Sequence, residues 1–410
     1  MKFFFAFFIL LFLLFLQSCF IKSLNNRLLD RGIWRGTIGL QGQQLPFLFE
    51  VSGDSSRNQD LYLINGEEKI YAGRITWSGD SAVFPMHIFD TNIMARYRES
   101  VLSGYWKKNY LPDYFLPFRA DYGKPYRFSE SPRQPSYTIT GKWDAVFSNA
   151  SDTTRAIGVF EQYGNHLKGT FLLTSGDYRY LDGEVDGDSL RLSTFDGEHA
   201  YLFKAKILNH DSLRGMYWSG KTWNEPWVAV RNPNAKLPDT DSLAFLKPGY
   251  TKIDFRFPGL DGNPVTPEDP KYRNKVIILQ VLGTWCPNCM DETRFLAGWY
   301  KRHRKQGVEI IGLAFERKDD FVYASARVKL MKQKLGADYD FVIAGKSGAG
   351  NAAQALPMLK GEIDFPTTIF IDRKGKVRKI HTGFSGPGTG IYYTRFIEDF
   401  DAFMNQLLAE

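Results

Sequence analysis

From Val276 to Leu282 the chain is almost continuously apolar, and the run ends in Gly283-Thr284-Trp285-Cys286-Pro287-Asn288-Cys289. Such a short run is expected of a strand covered on both faces. A helix is predicted to follow, from about Asn288 to Lys305. Val308 to Phe315 reads as a second strand and Phe321 to Leu335 as a helix. Asp340 to Ala344, Thr367 to Ile371 and Lys376 to His381 read as further strands, and Ile391 to Leu408 as the last helix. Alternating strands and helices predict an α/β sheet with helices on both faces. Two cysteines then stand at a strand-to-helix junction, which narrows the fold more than any other feature.

Composition narrows the chemistry. The chain has three cysteines, Cys19, Cys286 and Cys289, so no disulfide framework can form. A zinc site needs four ligands, and haem attachment would want His after Cys289, where Met290 stands. The six His are scattered, with no i,i+4 pair. A net charge of +7 over 410 residues is a mild excess and no nucleic-acid signature. With 43% hydrophobic and 24% charged residues, the chain is neither disordered nor collagenous.

The amino terminus reads as an address. Lys2 precedes fourteen apolar residues, Phe3 to Leu16. As a helix they span roughly 21 Å, short of the ~30 Å hydrocarbon core, and so match a signal-peptide core. Leu16-Gln17-Ser18-Cys19 resembles the lipobox of bacterial lipoproteins. That resemblance implies cleavage before Cys19, lipidation of its thiol and lipid-anchored membrane contact. The expected location is the cell envelope, facing the periplasm from the inner or outer membrane; Phe20 tilts towards the outer.

The middle of the chain reads as one β-rich unit written twice. Gly32-Ile33-Trp34 is matched by Gly141-Lys142-Trp143, and Gly79-Asp80-Ser81-Ala82-Val83 by Gly187-Asp188-Ser189-Leu190-Arg191. Phe89-Asp90 is matched by Phe195-Asp196, and Ser103-Gly104-Tyr105-Trp106 by Arg214-Gly215-Met216-Tyr217-Trp218. Asn65-Gly66, Asp182-Gly183 and Asp186-Gly187 are expected hairpin turns. Trp34, Trp77, Trp106, Trp143, Trp218, Trp223 and Trp227 are read as core residues rather than a binding surface, and Tyr105 to Phe128 either as a long structured loop at a partner interface or as packing between the two halves. The expected layout is a signal peptide (1–18), a tether (19–29), β-rich units at 30–135 and 136–231, a linker (232–247) and a last domain at 248–410. The β-rich units are antiparallel, either barrels, sandwiches or one larger assembly.

Trp285-Cys286-x-x-Cys289 at a strand-to-helix junction resembles the thioredoxin fold. Phe365-Pro366-Thr367-Thr368-Ile369-Phe370-Ile371-Asp372 and Lys374-Gly375-Lys376-Val377 strengthen the likeness. Gly283-Thr284-Trp285 and Glu292 are similar to the TlpA/ResA-type extracytoplasmic thiol-disulfide oxidoreductases, over about residues 247–408. The resemblance implies that Cys286 attacks, Cys289 resolves and a buried Glu292 handles the proton. It implies a cis Phe365–Pro366 bond facing the cysteines, with Trp285, Phe365 and Pro366 contacting substrate. Protein or small-molecule disulfides are the implied substrates and a membrane thiol carrier the implied donor, without metal or other cofactor. Cytosolic thioredoxins carry a buried Asp where this chain has Gln280, which favours Glu292 as the acid. Many relatives place Pro second in the dipeptide, whereas this chain has Pro287-Asn288.

A helix start favours a thiolate, and two residues between the cysteines set the ring they close. Two rival functions remain. A thiol peroxidase-like enzyme wants Pro-x-x-x-Thr-x-x-Cys, and Val281 to Cys286 lacks that proline. A binding lipoprotein would use the β-rich units to grip a ligand, with a redox-responsive accessory domain. The basic run Lys301-Arg302-His303-Arg304-Lys305 is read as a solvated helix end.

Overall fold

The computed structural model describes residues 28–55, 58–149 and 152–410. The expected signal peptide, most of the tether and Cys19 lie outside the described residues. Among the described residues, two antiparallel β-units precede an α/β domain of thioredoxin fold.

The first unit is a nine-stranded sheet running from Gly32–Leu40 to Phe115–Tyr122. Sequence neighbours pair, and the first strand pairs with the last from Trp34↔Tyr122 to Ile38↔Phe118. Glu68–Arg74 and Thr76–Ser78 are left as edges, so the sheet is nearly closed. The second unit runs from Gly141–Ser148 to Trp223–Arg231. Eight of its nine strands close into a barrel, because Thr153–Tyr163 pairs on both sides and the first strand meets the last. The ninth, Gly176–Asp177, is a short addition beside His166–Leu173.

Alternating burial drives both units: Trp34, Gly36, Ile38 and Leu40 face inward and their neighbours are less buried. The repeat carries matched constraints. Trp34 Nε1–H donates to the Asp30 carbonyl at 2.9 Å, and Trp143 Nε1–H to the Ile139 carbonyl at 2.8 Å. Gly104 and Gly215 both press on a carbonyl of the adjacent strand, of Met94 and Lys204, so neither position admits a side chain. Trp34, Trp106, Trp143 and Trp227 are fully buried, as core residues should be; Trp223 is exposed. The units share a core contact. The Phe195 ring of the barrel lies tilted at 4.6 Å from Phe47 and edge-on at 5.2 Å to Trp106 of the first sheet.

Three local expectations need correction. Asp182-Gly183 is no turn but lies within the strand Leu181–Asp186. Gly183 is needed there because the Arg191 carbonyl and the Phe128 ring leave no room for a Cβ. Asn65-Gly66 and Asp186-Gly187 do turn hairpins, with Asn65↔Glu68 and Asp186↔Ser189 paired. Tyr105 to Phe128 is no long loop: it holds the end of Val101–Lys108 and all of Phe115–Tyr122. Trp218 does not match Trp106. The inward position is Tyr217, because one extra residue after Gly215 turns Trp218 to the other face.

The α/β domain has the strand order Asp340–Lys346, Val308–Glu316, Val276–Leu282, Thr367–Ile371, Val377–Thr382. The first three are parallel and the last two antiparallel. Val276–Leu282 is central and buried along its whole length. Helices Pro287–His303 and Phe321–Leu335 form two successive crossovers that step the same way across the sheet. Right-handed crossovers then place both on one face, which the final helix Ile391–Ala409 shares through Phe400, Met404 and Leu407. The short helix Asn351–Ala355 lies on the other face with Ile253, Phe255 and Tyr272. Trp143→Ala should destabilise the barrel by about 3–5 kcal/mol. Urea unfolding followed by far-UV circular dichroism checks this.

Candidate active site

Cys286 is the N-cap of the Pro287–His303 helix and is joined to Cys289 as a disulfide, with Cα atoms 5.2 Å apart. The Cys289 N–H donates to Cys286 Sγ at 3.1 Å. The first-turn N–H groups and helix dipole favour negative charge on that sulfur. Cys286 is 5% exposed and Cys289 is fully buried. Across from them the Phe365–Pro366 bond is cis, and the Phe365 carbonyl oxygen lies 3.3 Å from Cys286 Sγ. Trp285 is half-buried, donates Nε1–H to the Phe315 carbonyl at 2.8 Å and meets the Phe365 ring at 5.2 Å. The Arg317 guanidinium lies over the Trp285 ring at 4.1 Å.

Glu292 lies one turn beyond Cys289 on the same helix and is 1% exposed. Thr368 Oγ1–H donates to Glu292 Oε1 at 2.6 Å, and Gln280 Nε2–H to Oε2 at 2.8 Å. The Gln280 amide also reaches the Cys289 carbonyl at 3.5 Å. Its own oxygen accepts from Thr293 Oγ1–H and Tyr339 Oη–H at 3.2 and 3.3 Å. Burial pushes the Glu292 carboxyl up to about 7 despite these hydrogen bonds. A buried group that titrates near neutrality one turn from Cys289 can accept and return a proton.

The Redoxin family matches residues 235–392. The ResA thiol-disulfide oxidoreductase of Geobacillus thermodenitrificans is 32% identical over 135 residues, 33% of this chain and 69% of that protein. Its counterpart in Geobacillus kaustophilus is 30% identical over the same shares. The chain belongs to the ResA-type thiol-disulfide oxidoreductases. Among solved structures, a putative protein disulfide isomerase from Bacteroides thetaiotaomicron is 21% identical with a TM-score of 0.29, covering 41% of this chain and 93% of that one.

In this ResA-type oxidoreductase the expected site residues Trp285, Cys286, Cys289, Phe365 and Pro366 come together, and Gln280 links Glu292 to Cys289. Cys19 lies outside the described residues. Sequence reasoning missed the service role of Gln280, although a polar residue amid an apolar run was a visible signal. It also missed Glu316, which accepts from Thr284 N–H at 2.9 Å and Oγ1–H at 2.7 Å and so holds the turn before Cys286. Burial pushes Glu316 up to about 7 as well. Among the described residues no group of three His, Cys, Asp or Glu is placed to hold a metal ion. The basic run ends its helix as expected, with Arg304 Nη1 3.0 Å from Asp338.

A carboxyl raised in the folded state favours folding below its unfolded value and loses that contribution as pH rises through the folded value. Glu292 therefore makes stability fall between about pH 4.5 and about pH 7. Glu292→Gln should reduce the slope in that window, to which Glu316 also contributes, and stabilise the oxidised protein at pH 8 by on the order of 2 kcal/mol. Urea unfolding at pH 4.5 and pH 8 measures the difference; an unchanged pH slope would refute the assignment.

Proposed function

We propose that the protein is a membrane-anchored disulfide reductase facing the periplasm, with residues 248–410 as its redox domain. A lipid on Cys19 would hold it at the membrane. The observation that carries the reading is the pairing of Cys286 at a helix cap with the buried Glu292, held by Gln280 next to Cys289.

The reaction follows from thiol chemistry. In the reduced protein the Cys286 thiolate attacks one sulfur of a substrate disulfide. The substrate S–S bond breaks, a mixed disulfide forms, and the first substrate thiolate leaves and takes a proton. Glu292 accepts the Cys289 proton, and the Cys289 thiolate attacks Cys286 Sγ. The mixed disulfide breaks, and the second substrate thiolate leaves and is protonated. Two electrons have passed to the substrate and Cys286–Cys289 is a disulfide. A dithiol carrier in the membrane returns the pair to the dithiol by the same exchange. Phe365 and cis-Pro366 place a backbone edge beside the sulfurs, where an extended segment of a protein substrate would lie.

Cys286→Ser should abolish disulfide reduction. Cys289→Ser should keep the first attack and accumulate a mixed disulfide that dithiothreitol releases. Glu292→Gln should slow turnover about 100-fold at neutral pH while leaving the first attack near its normal rate. Insulin reduction and non-reducing gels read these outcomes, and full activity of Cys286→Ser would sink the proposal.

A further inference from the structure

The second barrel reaches the cysteine pair. Its short strand Gly176–Asp177 and the turn to Tyr180 lie across the start of the Pro287–His303 helix. Asn288 Nδ2–H donates to the Asp177 carbonyl at 3.2 Å, and Gly176 has no room for a side chain because Asn288 fills the space. Gly383, which follows the last strand of the redox domain, presses on the Thr174 carbonyl. Asp177 Oδ2 accepts from the Gly386 N–H at 2.8 Å. Arg179 is 8% exposed and donates Nη1–H to the carbonyl of Pro287 at 3.3 Å, the residue next to Cys286. It also pairs with Asp291 of the cysteine helix and with Glu68 of the first sheet.

We propose that Arg179 is a positioning residue of the redox site, through which the second barrel holds the Pro287-Asn288 dipeptide and sets the reactivity of Cys286. The inference rests on Cys286 being the attacking thiol. The dipeptide between the cysteines shapes their ring. Here it is fastened from outside at both residues, by Arg179 at the Pro287 carbonyl and by Asp177 at Asn288. A proline in place of Asn288 would have no amide to donate, which gives the unusual order Pro-Asn a physical reason.

Arg179 also supplies charge. Asp177 and Asp196 face it from the barrel, Glu68 from the first sheet and Asp291 from the helix. Arg294 shares Asp291 at 2.8 Å, and Tyr180 lies beside the group. Asp196 is also paired with His199 at 3.5 Å, so four carboxyls meet two guanidiniums and one imidazole. Burial pushes Glu68 up and Asp177 up to about 6, as expected where acid outnumbers base. Without Arg179 the acid excess stands against a thiolate at Cys286. A thiol held protonated leaves the disulfide relatively more stable, and the couple becomes more reducing. Without the Glu68 charge, more of the Arg179 field reaches Cys286 and the couple becomes more oxidising.

The test uses the whole chain, as wild type, Arg179→Gln and Glu68→Gln. Each is equilibrated with glutathione buffers, and Cys286 alkylation is followed against pH in the reduced protein. Arg179→Gln should shift the equilibrium about tenfold towards the disulfide, about 30 mV more reducing, and move the alkylation midpoint to higher pH. Glu68→Gln should move both readings the other way. A purely structural role gives no such opposition. Shifts in the same direction, or values within twofold of wild type in folded variants, would overturn the proposal. If Arg179→Gln fails to fold, Glu68→Gln decides: an oxidising shift supports the proposal and any other result rejects it. If the wild type shows no two-electron equilibrium at Cys286–Cys289, the functional reading fails first and takes this inference with it.

Discussion

A charge that must form where water is scarce governs this molecule. Cys286 is 5% exposed and Cys289 is fully buried, yet in the proposed exchange both would react as thiolates. An isolated buried anion would cost several kcal/mol. The fold meets that cost with the start of a helix at Cys286 and a second titrating group, Glu292, beside Cys289. Glu292 would itself be a liability as a fixed charge. Burial keeps it near neutrality, where it can be either protonation state without a large penalty in either.

The rest of the redox domain serves that arrangement. The central strand Val276–Leu282 supplies Gln280, which ties the acid to the Cys289 backbone, and delivers Cys286 at its end. The neighbouring strand Thr367–Ile371 brings Thr368 to Glu292 and cis-Pro366 to the sulfurs. Parallel strands and same-side crossovers put the cysteine helix and the Phe321–Leu335 helix on one face, where the final helix packs with them. The β-units stabilise themselves through alternating aromatic cores and then meet the redox domain at its chemistry. The first sheet reaches the Phe321–Leu335 helix, where Tyr323 Oη–H donates to Asp90 at 2.9 Å. The barrel meets the cysteine helix itself.

Much of the redox domain was legible because each element carries its own signal. Fully buried strands read as apolar runs, and the helices fell within a few residues of their predicted ends. The duplication was legible because Gly104, Gly215, Trp34 and Trp143 answer to strict local sterics. What stayed hidden depended on partners distant in sequence. Asp182-Gly183 has turn chemistry but is claimed by the barrel, where Arg127 pairs with Asp182 at 2.8 Å. Trp218 looked like a match to Trp106 until the alternation of the strand fixed which face it takes. Gln280 showed as an oddity and not as a tether. Arg179 meets Pro287 across more than a hundred residues, and no local pattern announces such a contact.

The most direct measurement is the reduction potential of Cys286–Cys289 in the intact chain, by equilibration with glutathione or dithiothreitol buffers. The account predicts a value near the thioredoxin end of the range, about −270 mV, as a reductase fed by a membrane dithiol requires. A value near the DsbA end, about −120 mV, would contradict it and make the protein a donor of disulfides.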